Sequence, residues 1–422
     1  MHFIFTTRFL PLFITQFLGA FNDNILKNAL VVLITYRIAA QTGENAQVMV
    51  TLAAGLFILP FFLFSATAGQ LADKYERTLI IRWIKIAEIA IMLLASIGFM
   101  LNNSWFLIAV LFAAGIHSTF FGPIKYALLP QHLKPKELLS GNAYIEAGTF
   151  LAILLGTICG GLLILSNHGL NIVSAMLCCI AILGYLSCTY IPLAPGPEPK
   201  LQLNSNLWHE TKHILGYARK NKRVFNAILG ISWFWLIGAT FLAQFPNFVK
   251  NYLHAEAAVV TLFLTLFSIG IGIGSFLCAK LLRGEVKNSY VALAAVCLSA
   301  FTLDLYIASQ NHIYFNLPAL FSFNRFVHLA ASKRIIFDIF LIAICAGFYI
   351  VPLYATMQLE SDQAKLGRIM AATNVLNALF MVISAIFTLA MLAMSRTIPE
   401  VFLTIGLANL VVAYLIQKSN LN

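Results

Sequence analysis

Apolar stretches long enough to cross a membrane recur almost end to end in this 422-residue chain. A transmembrane helix needs about 20 predominantly apolar residues to span roughly 30 Å of hydrocarbon. Between polar breaks, such runs are expected to form helices near residues 9–37, 48–72, 78–101, 105–129, 142–166 and 169–192. They resume near 225–249, 258–282, 288–309, 335–358, 368–394 and 398–417. Apolar residues make up 60% of the chain and charged residues only 10%, against nearly half and a quarter in an ordinary soluble domain. No room remains for a large soluble domain, and a soluble enzyme is excluded. The expected fold class is an all-α membrane protein of about twelve helices. Residues 1–193 form one six-helix bundle, 194–223 a linker, and 224–422 a second six-helix bundle.

The formal charge of +11 does not point to nucleic acid, because the cations collect in alternate loops. Roughly twenty Lys and Arg fall on the side of the amino terminus and about six on the other, which places both termini in the cytoplasm. The linker carries Lys200, Lys212, Arg219, Lys220, Lys222 and Arg223. Within it Leu207, Thr211, Ile214, Leu215 and Ala218 recur at helical spacing beside Trp208. Two readings fit: a helix lying on the inner leaflet, or a solvated linker helix. The seven Cys are scattered through apolar segments without metal-ligand spacing and read as small buried hydrophobes. The first apolar run continues without a short h-region and cleavage site, so the first helix is expected to be retained. The outer loop from Gln310 to Arg334 is long and suggests no function.

After the second helix comes Gly69-Gln-Leu-Ala-Asp73-Lys74-Tyr-Glu-Arg77. It resembles the signature of the major facilitator superfamily, with Glu76 where Gly is usual and Thr78 where a further cation is usual. Gly69 lets helices approach closely, and Asp73 can meet a helix amino-terminal dipole or an Arg of the other half, latching an inside gate. Gly69, Asp73, Lys74 and Arg77 are therefore gating candidates. The corresponding loop after helix eight, Ser275-Phe-Leu-Cys-Ala279-Lys280-Leu-Leu-Arg283, keeps the cations and lacks the acid. One intact and one degenerate copy fit the parallel repeats of that superfamily.

Helix one carries Gln16, Ala20, Asp23, Asn24, Lys27 and Asn28 close to one face, with Asp23 and Lys27 one turn apart. Ionisable groups in hydrocarbon are costly and should face the bundle interior or a water-filled cavity. Asp23 and Lys27 either neutralise each other or leave Asp23 to meet the cationic part of a substrate. Helix four ends Gly122-Pro123-Ile-Lys125-Tyr126, and helix five opens Gly141-Asn142-Ala-Tyr-Ile-Glu146. Lys125 and Glu146 are expected toward the inside end as a second polar tier, or Lys125 snorkels to inner headgroups. Pro123 and Pro130 remove backbone donors, and Pro123 is a candidate flexing point of the gate.

The segments from Gln16 to Asn24, from Phe120 to Tyr126 and from Gly141 to Ala147, with Gly156 and Gly160-Gly161, resemble the lysophospholipid transporters of the major facilitator superfamily. The likeness is strongest over residues 8–165. It implies the two-bundle major facilitator fold, a place in a bacterial inner membrane, and movement of lysophosphatidylethanolamine-type lipids from outer to inner leaflet. It also implies a separate acyltransferase as partner, with membrane lipids around a monomer, no nucleic acid and no cofactor. Asp23 and Lys125 carry over as headgroup contacts, with Asn24, Lys27, Tyr126 and Glu146 beside them. Helix seven lacks the cation expected for a headgroup phosphate, which leaves open a facilitator for another small solute such as a siderophore or a drug.

His209-Glu210-Thr211-Lys212-His213 matches the H-E-x-x-H pattern, in which two His one turn apart hold zinc and the Glu acts as base. It sits in the basic linker with no catalytic domain around it, so no metal site and no protease are expected. None of the nine His is followed five positions later by Asp, so a fused acyltransferase is not expected either.

Overall fold

The computed structural model describes residues 2–38, 46–285, 289–310 and 320–418. Among the described residues, twelve helices are long and apolar enough to cross a membrane. They are α1 (Leu10–Tyr36), α2 (Val48–Lys74), α3 (Arg77–Leu101), α4 (Ser104–His132), α5 (Pro135–Leu163) and α6 (Gly169–Cys188). Then follow α7 (Lys222–Tyr252), α8 (Ala257–Leu282), α9 (Tyr290–Ser309), α10 (Ala330–Glu360), α11 (Gln363–Ala393) and α12 (Ile398–Lys418). Among the described residues no β-strand forms, only an isolated bridge between Ala255 and Phe321. In hydrocarbon every backbone N–H and C=O must be satisfied internally, and an α-helix does this within one segment.

Polar side chains fix several helix ends. The Glu76 carboxylate accepts from the Thr78 and Leu79 amides at 2.9 and 2.6 Å and starts α3. Asn103 accepts from the Phe106 amide at 3.0 Å and starts α4. Such N-caps satisfy donors that have no partner within the helix. Several helices start earlier than their apolar runs suggest, α5 and α10 among them. Helix α5 begins at Pro135, not near residue 142, because Pro suits a first turn and Glu137 accepts from the Lys134 amide at 2.8 Å. Helix α10 begins at Ala330, not near residue 335, so Ser332, Lys333 and Arg334 belong to a helix and not to the long loop. Part of that loop is also folded. Phe323–His328 is a short helix, the Phe321 amide donates to the His254 carbonyl at 2.7 Å, and Glu256 accepts from the Phe323 amide at 3.1 Å. Residues 311–319 lie outside the described residues.

The chain packs as two compact units. The first comprises Met1–Gly141, Leu151–Lys220 and Gln358–Val375; the second comprises Asn142–Phe150, Asn221–Met357 and Leu376–Asn422. The short exchanged pieces are the start of α11 with the end of α10, and a stretch of α5.

In the first unit, Ile25, Leu26, Ala29 and Leu33 of α1 pack with Met92, Ala95 and Phe99 of α3, Leu107 and Leu111 of α4, and Leu177 and Ala181 of α6. Glycines set the approach of α5 to α1: a Cβ at Gly156 would lie 2.7 Å from the Phe21 carbonyl oxygen, and one at Gly160 2.5 Å from that of Ile25. Only a residue without a side chain permits that approach. The second unit has an aromatic core in which Phe241 stacks on Phe402 at 4.4 Å between centroids, with Phe245, Phe263 and Phe267 around them. Large apolar side chains also face outward, among them Leu162 (73% exposed) and Leu389 (67%). In water such surface would drive aggregation; lipid tails solvate it without penalty.

The linker is held to the first unit. The Arg77 amide donates to the Ala194 carbonyl at 2.8 Å, the Glu198 amide to the Asp73 carbonyl at 2.8 Å, and the Asn204 amide to Gln70 Oε1 at 2.6 Å. It then forms the helix Leu207–Ala218, capped by Asn206. Glu210, Thr211, Ile214 and Ala218 of this helix are buried, while Trp208 is 77% exposed beside exposed Lys212, Arg219 and Lys220. Much of the face read as apolar thus turns toward the protein, because the strap before it draws the helix against α2.

Candidate functional site

The signature segment closes on itself and on the start of α11, all within the first unit. Asp73 is completely buried. Its Oδ1 accepts from the Gly367 amide at 2.7 Å, and its Oδ2 accepts from the Arg368 amide at 3.1 Å and the Arg368 Nε at 3.0 Å. One carboxylate therefore meets both the amino-terminal dipole of a helix and a guanidinium. Arg77 stands 3.3 Å from Oδ1 and donates to the carbonyls of Ala72 and Ala127 at 2.9 and 2.8 Å. Arg368 also pairs with Glu198 of the linker. The approach needs small residues on both sides. A Cβ at Gly69 would lie 2.6 Å from that of Ala371, and one at Gly367 2.5 Å from Asp73 Oδ1. Lys74 takes no part in these ion pairs; its ammonium lies 5.5 Å from the Tyr75 ring centroid.

A second polar group lies in mid-helix. At ~1.5 Å per residue, Asp23 is about 20 Å along α1 from Leu10, Glu88 about 17 Å along α3 from Arg77, and His117 about 20 Å along α4 from Ser104. Ser118 donates to Asp23 Oδ2, and Asp23 Oδ1 is buried with no hydrogen-bond partner among the described residues. No ion pair within 4.0 Å joins Asp23 to Lys27 among those residues; the Lys27 ammonium lies 5.8 Å from the Phe57 ring centroid. Helical spacing put the two charges one turn apart, but their side chains found other partners. Asn24 is turned to its own helix, its amide donating to the Ala20 carbonyl at 2.8 Å.

Close to Asp23 in depth is a cluster that the sequence reading missed. Lys85 pairs with Glu88 Oε2, His117 Nε2 lies 3.2 Å from the same oxygen, and Asn22 donates to Glu88 Oε1 at 3.1 Å. Lys85 and Glu88 are buried, as are Asn22 and His117. Isolated charges there would cost several kcal/mol each, and removing one partner of such a pair costs about 3–5 kcal/mol. The signal was available: Lys85 and Glu88 stand one turn apart in the apolar run of helix three, and an intramembrane charge is itself a marker. Glu198 and Arg368 carried no such signal, being far apart in sequence.

Lys125 is half-buried, with its ammonium 4.8 Å from the ring centroid of buried Tyr126. The Tyr126 carbonyl accepts from Gln358 at 3.1 Å. Helix α4 runs unbroken through Pro123 and Pro130. A Cβ at Gly122 would lie 2.8 Å from the Asn374 amide nitrogen. Glu146 is completely buried and belongs to the second unit, where neighbouring Tyr144 packs on Phe276 at 4.7 Å.

In the H-E-x-x-H segment the His209 and His213 rings stack at 6.4 Å, while Glu210 is buried and the two His are exposed. Among the described residues no three His, Cys, Asp or Glu side chains group in a metal-binding arrangement.

Comparison with known proteins places this geometry in a family. Residues 12–385 match the family described as the Major Facilitator Superfamily. The chain is 26% identical over 394 residues to the lysophospholipid transporter LplT of Escherichia coli O1:K1 / APEC, covering 92% of this chain and 89% of that protein. It is 25% identical over 351 residues to LplT of Serratia proteamaculans (strain 568), covering 81% and 78%. Among solved structures, the human organic anion transporter MFSD10 superposes with a TM-score of 0.73 at 13% identity, covering 96% of this chain and 99% of that one. The transporter FucP in its outward conformation gives 0.72 at 12% identity, covering 98% and 100%. At such identities the structural likeness speaks for the fold alone. With twelve apolar helices, the matched family profile and the signature loop around Asp73, the chain belongs to the major facilitator superfamily and is a multi-pass membrane transporter.

Proposed function

We propose that the chain is a flippase that moves lysophosphatidylethanolamine-type lipids from the outer to the inner leaflet of a bacterial inner membrane by alternating access. The observation that carries this reading is the similarity to lysophospholipid transporters over most of both chains. Two features of the first unit support it. Asp23 keeps a buried carboxylate oxygen without a hydrogen-bond partner among the described residues, the group an ethanolamine ammonium needs. Lys125 on α4 carries the opposite charge that a phosphate needs. Each attraction strengthens where bulk water is excluded. Asn24, Lys27 and Tyr126 are the remaining residues of the first unit assigned to the headgroup path. The Asp73 clasp on Gly367 and Arg368, with Gly69 and Arg77, serves as the cytoplasmic gate, and Pro123 is its flexing point. A separate acyltransferase re-acylates the lipid that arrives.

The test is uptake of labelled lysophosphatidylethanolamine, against a siderophore and a cationic drug, in membranes that lack the native transporters. Lysolipid uptake that depends on this protein supports the reading. Movement of only the siderophore or the drug replaces it with a facilitator for that solute.

A further inference from the structure

Helices α7 and α11 carry no acidic residue, and α12 has only Glu400, in its first turn. At the other end of α12 and the start of α7 the charges are all positive: Lys222, Arg223 and Lys418, each exposed. Lys222 stands one turn before Asn226 on the same side of α7, and Asn226 and Lys418 line one groove. Away from this rim the groove is apolar. Leu229 and Trp233 of α7, Phe380 of α11, and Val412 and Leu415 of α12 line a space of about 670 Å³, within the ~300–1,000 Å³ of small-ligand sites. It extends about 10 Å along α7 from Asn226 to Trp233, at ~1.5 Å per residue. Its Trp wall is fixed from behind. Trp233 Nε1 donates to Asn409 Oδ1 at 2.8 Å, and the Asn409 amide donates to the Ala295 carbonyl at 2.7 Å and to Ser299 Oγ at 3.0 Å. All these residues belong to the second unit.

We propose that this groove binds one anionic phospholipid of the cytoplasmic leaflet, held as a resident lipid and not as the transported one. One acyl chain lies along Leu229, Trp233 and Val412, and the headgroup phosphate meets Lys222, Arg223 and Lys418, with Asn226 donating at the boundary between them. The apolar walls and the rim each narrow the choice of occupant. A free phosphate would match the cations and leave the groove empty. The ammonium of a zwitterionic lipid would meet three like charges, with no carboxylate on α7, α11 or this end of α12 to accept it. An anionic lipid satisfies both parts, and basic pockets between membrane helices on the cytoplasmic side recognise such headgroups. The lipid would tie the first helix of the second bundle to the last. None of these residues belongs to the headgroup path of the first unit, so the site holds for a transporter of any solute.

The experiment titrates the full-length protein in detergent with dioleoyl phosphatidylglycerol or dioleoyl phosphatidylcholine and counts bound lipids by native mass spectrometry. One phosphatidylglycerol per chain should bind at least about fivefold more tightly than phosphatidylcholine, the contribution of about one surface cation. Combining Lys222→Gln, Arg223→Gln and Lys418→Gln should bring the two lipids within about twofold. Val412→Trp keeps every cation and fills the groove, so it should lose the tightly bound lipid while gel filtration shows a folded protein. If it does not fold, Leu415→Phe, at a position 56% exposed, takes its place. Phosphatidylglycerol with brominated chains should also quench Trp233, read as the difference in emission between the wild type and Trp233→Phe. Equal binding of the two lipids by the wild type overturns the proposal, and so does a preference that survives removal of the three cations. A preference that survives filling of the groove assigns the effect to the basic surface alone and overturns the site. Bound lipid that leaves Trp233 unquenched lies elsewhere and overturns it as well.

Discussion

Asp23 and Lys125 carry opposite charges on two helices of the first unit, and a zwitterionic headgroup needs both signs. In the headgroup path proposed above, replacing either would leave one ligand charge unpaired, a loss on the order of 2–5 kcal/mol where a charge pair is desolvated. Asp23→Asn and Lys125→Ala are therefore expected to lower lysolipid transport by at least about tenfold while both proteins still insert and fold. Transport in proteoliposomes, with circular dichroism and gel filtration as fold controls, checks this. Wild-type transport by either variant would remove that residue from the headgroup path. Combining Asp23→Asn with Lys27→Gln separates the two readings of Asp23, because transport regained in this double variant would mean that Asp23 only neutralises Lys27. Asp23 has its nearest described partner in Ser118 and not in Lys27, so the double variant is expected to stay inactive. At this scale the sequence exposed the charges, because any ionisable residue in an apolar run stands out. It did not expose their partners. A one-turn spacing suggested Asp23 with Lys27, but the rotamers that bring Ser118 and Phe57 close depend on α4 and α2, and no local pattern encodes them.

The clasp at the α2–α3 turn combines interactions of unequal strength. Asp73 is fully buried and accepts from two backbone amides and a guanidinium, whereas the Glu198 side chain that meets the same Arg368 is 38% exposed. Hydrogen bonds to a charged buried group are worth about 1.5–3 kcal/mol each, while exposed ion pairs contribute ~0–1 kcal/mol. Asp73→Asn is thus expected to depopulate the clasped state about tenfold or more and slow the transport cycle, with lysolipid affinity changed less than about twofold. Glu198→Gln should shift the same equilibrium by no more than a few-fold. Spin labels on α2 and α11 report the populations, and binding is measured separately. A large loss of affinity with normal populations would place Asp73 in the substrate path. At the scale of elements, the Gly69-to-Arg77 motif made Asp73 and its kinds of partner readable before any coordinates. The start of α5 was not readable, because its first turn is polar and only the Pro135 and Glu137 cap marks it as helix. The strap from Ala194 to Asn204 was equally hidden, since the hydrogen bonds that tie it to Gln70, Asp73 and Arg77 are made by its backbone groups, which every residue carries.

Over the whole molecule, hydropathy made the twelve spans legible, and the distribution of cations is what orients them. Lys and Arg are retained on the cytoplasmic side of a membrane because carrying them across is costly, and the bias counts most in short loops near the helix ends. The linker concentrates such residues, from Lys200 to Arg223, and Arg77, Arg82, Lys134 and Lys136 lie at or within two turns of helix ends assigned to the same side. Both termini and the linker are therefore expected to be cytoplasmic. Ser205 is a suitable reporter because it is exposed and lies just beyond the strap, ahead of the Asn206 cap, so a cysteine there disturbs neither buried packing nor the capping bond. In a cysteine-free background, Ser205→Cys should resist an impermeant maleimide added to intact cells and react once the membrane is opened or inverted. Exposure of Ser205 makes slow labelling of intact cells attributable to the membrane and not to burial. Full labelling from outside, at the rate seen in inverted vesicles, would reverse the orientation, move the Asp73 clasp to the outer face and reverse the transport direction assigned here.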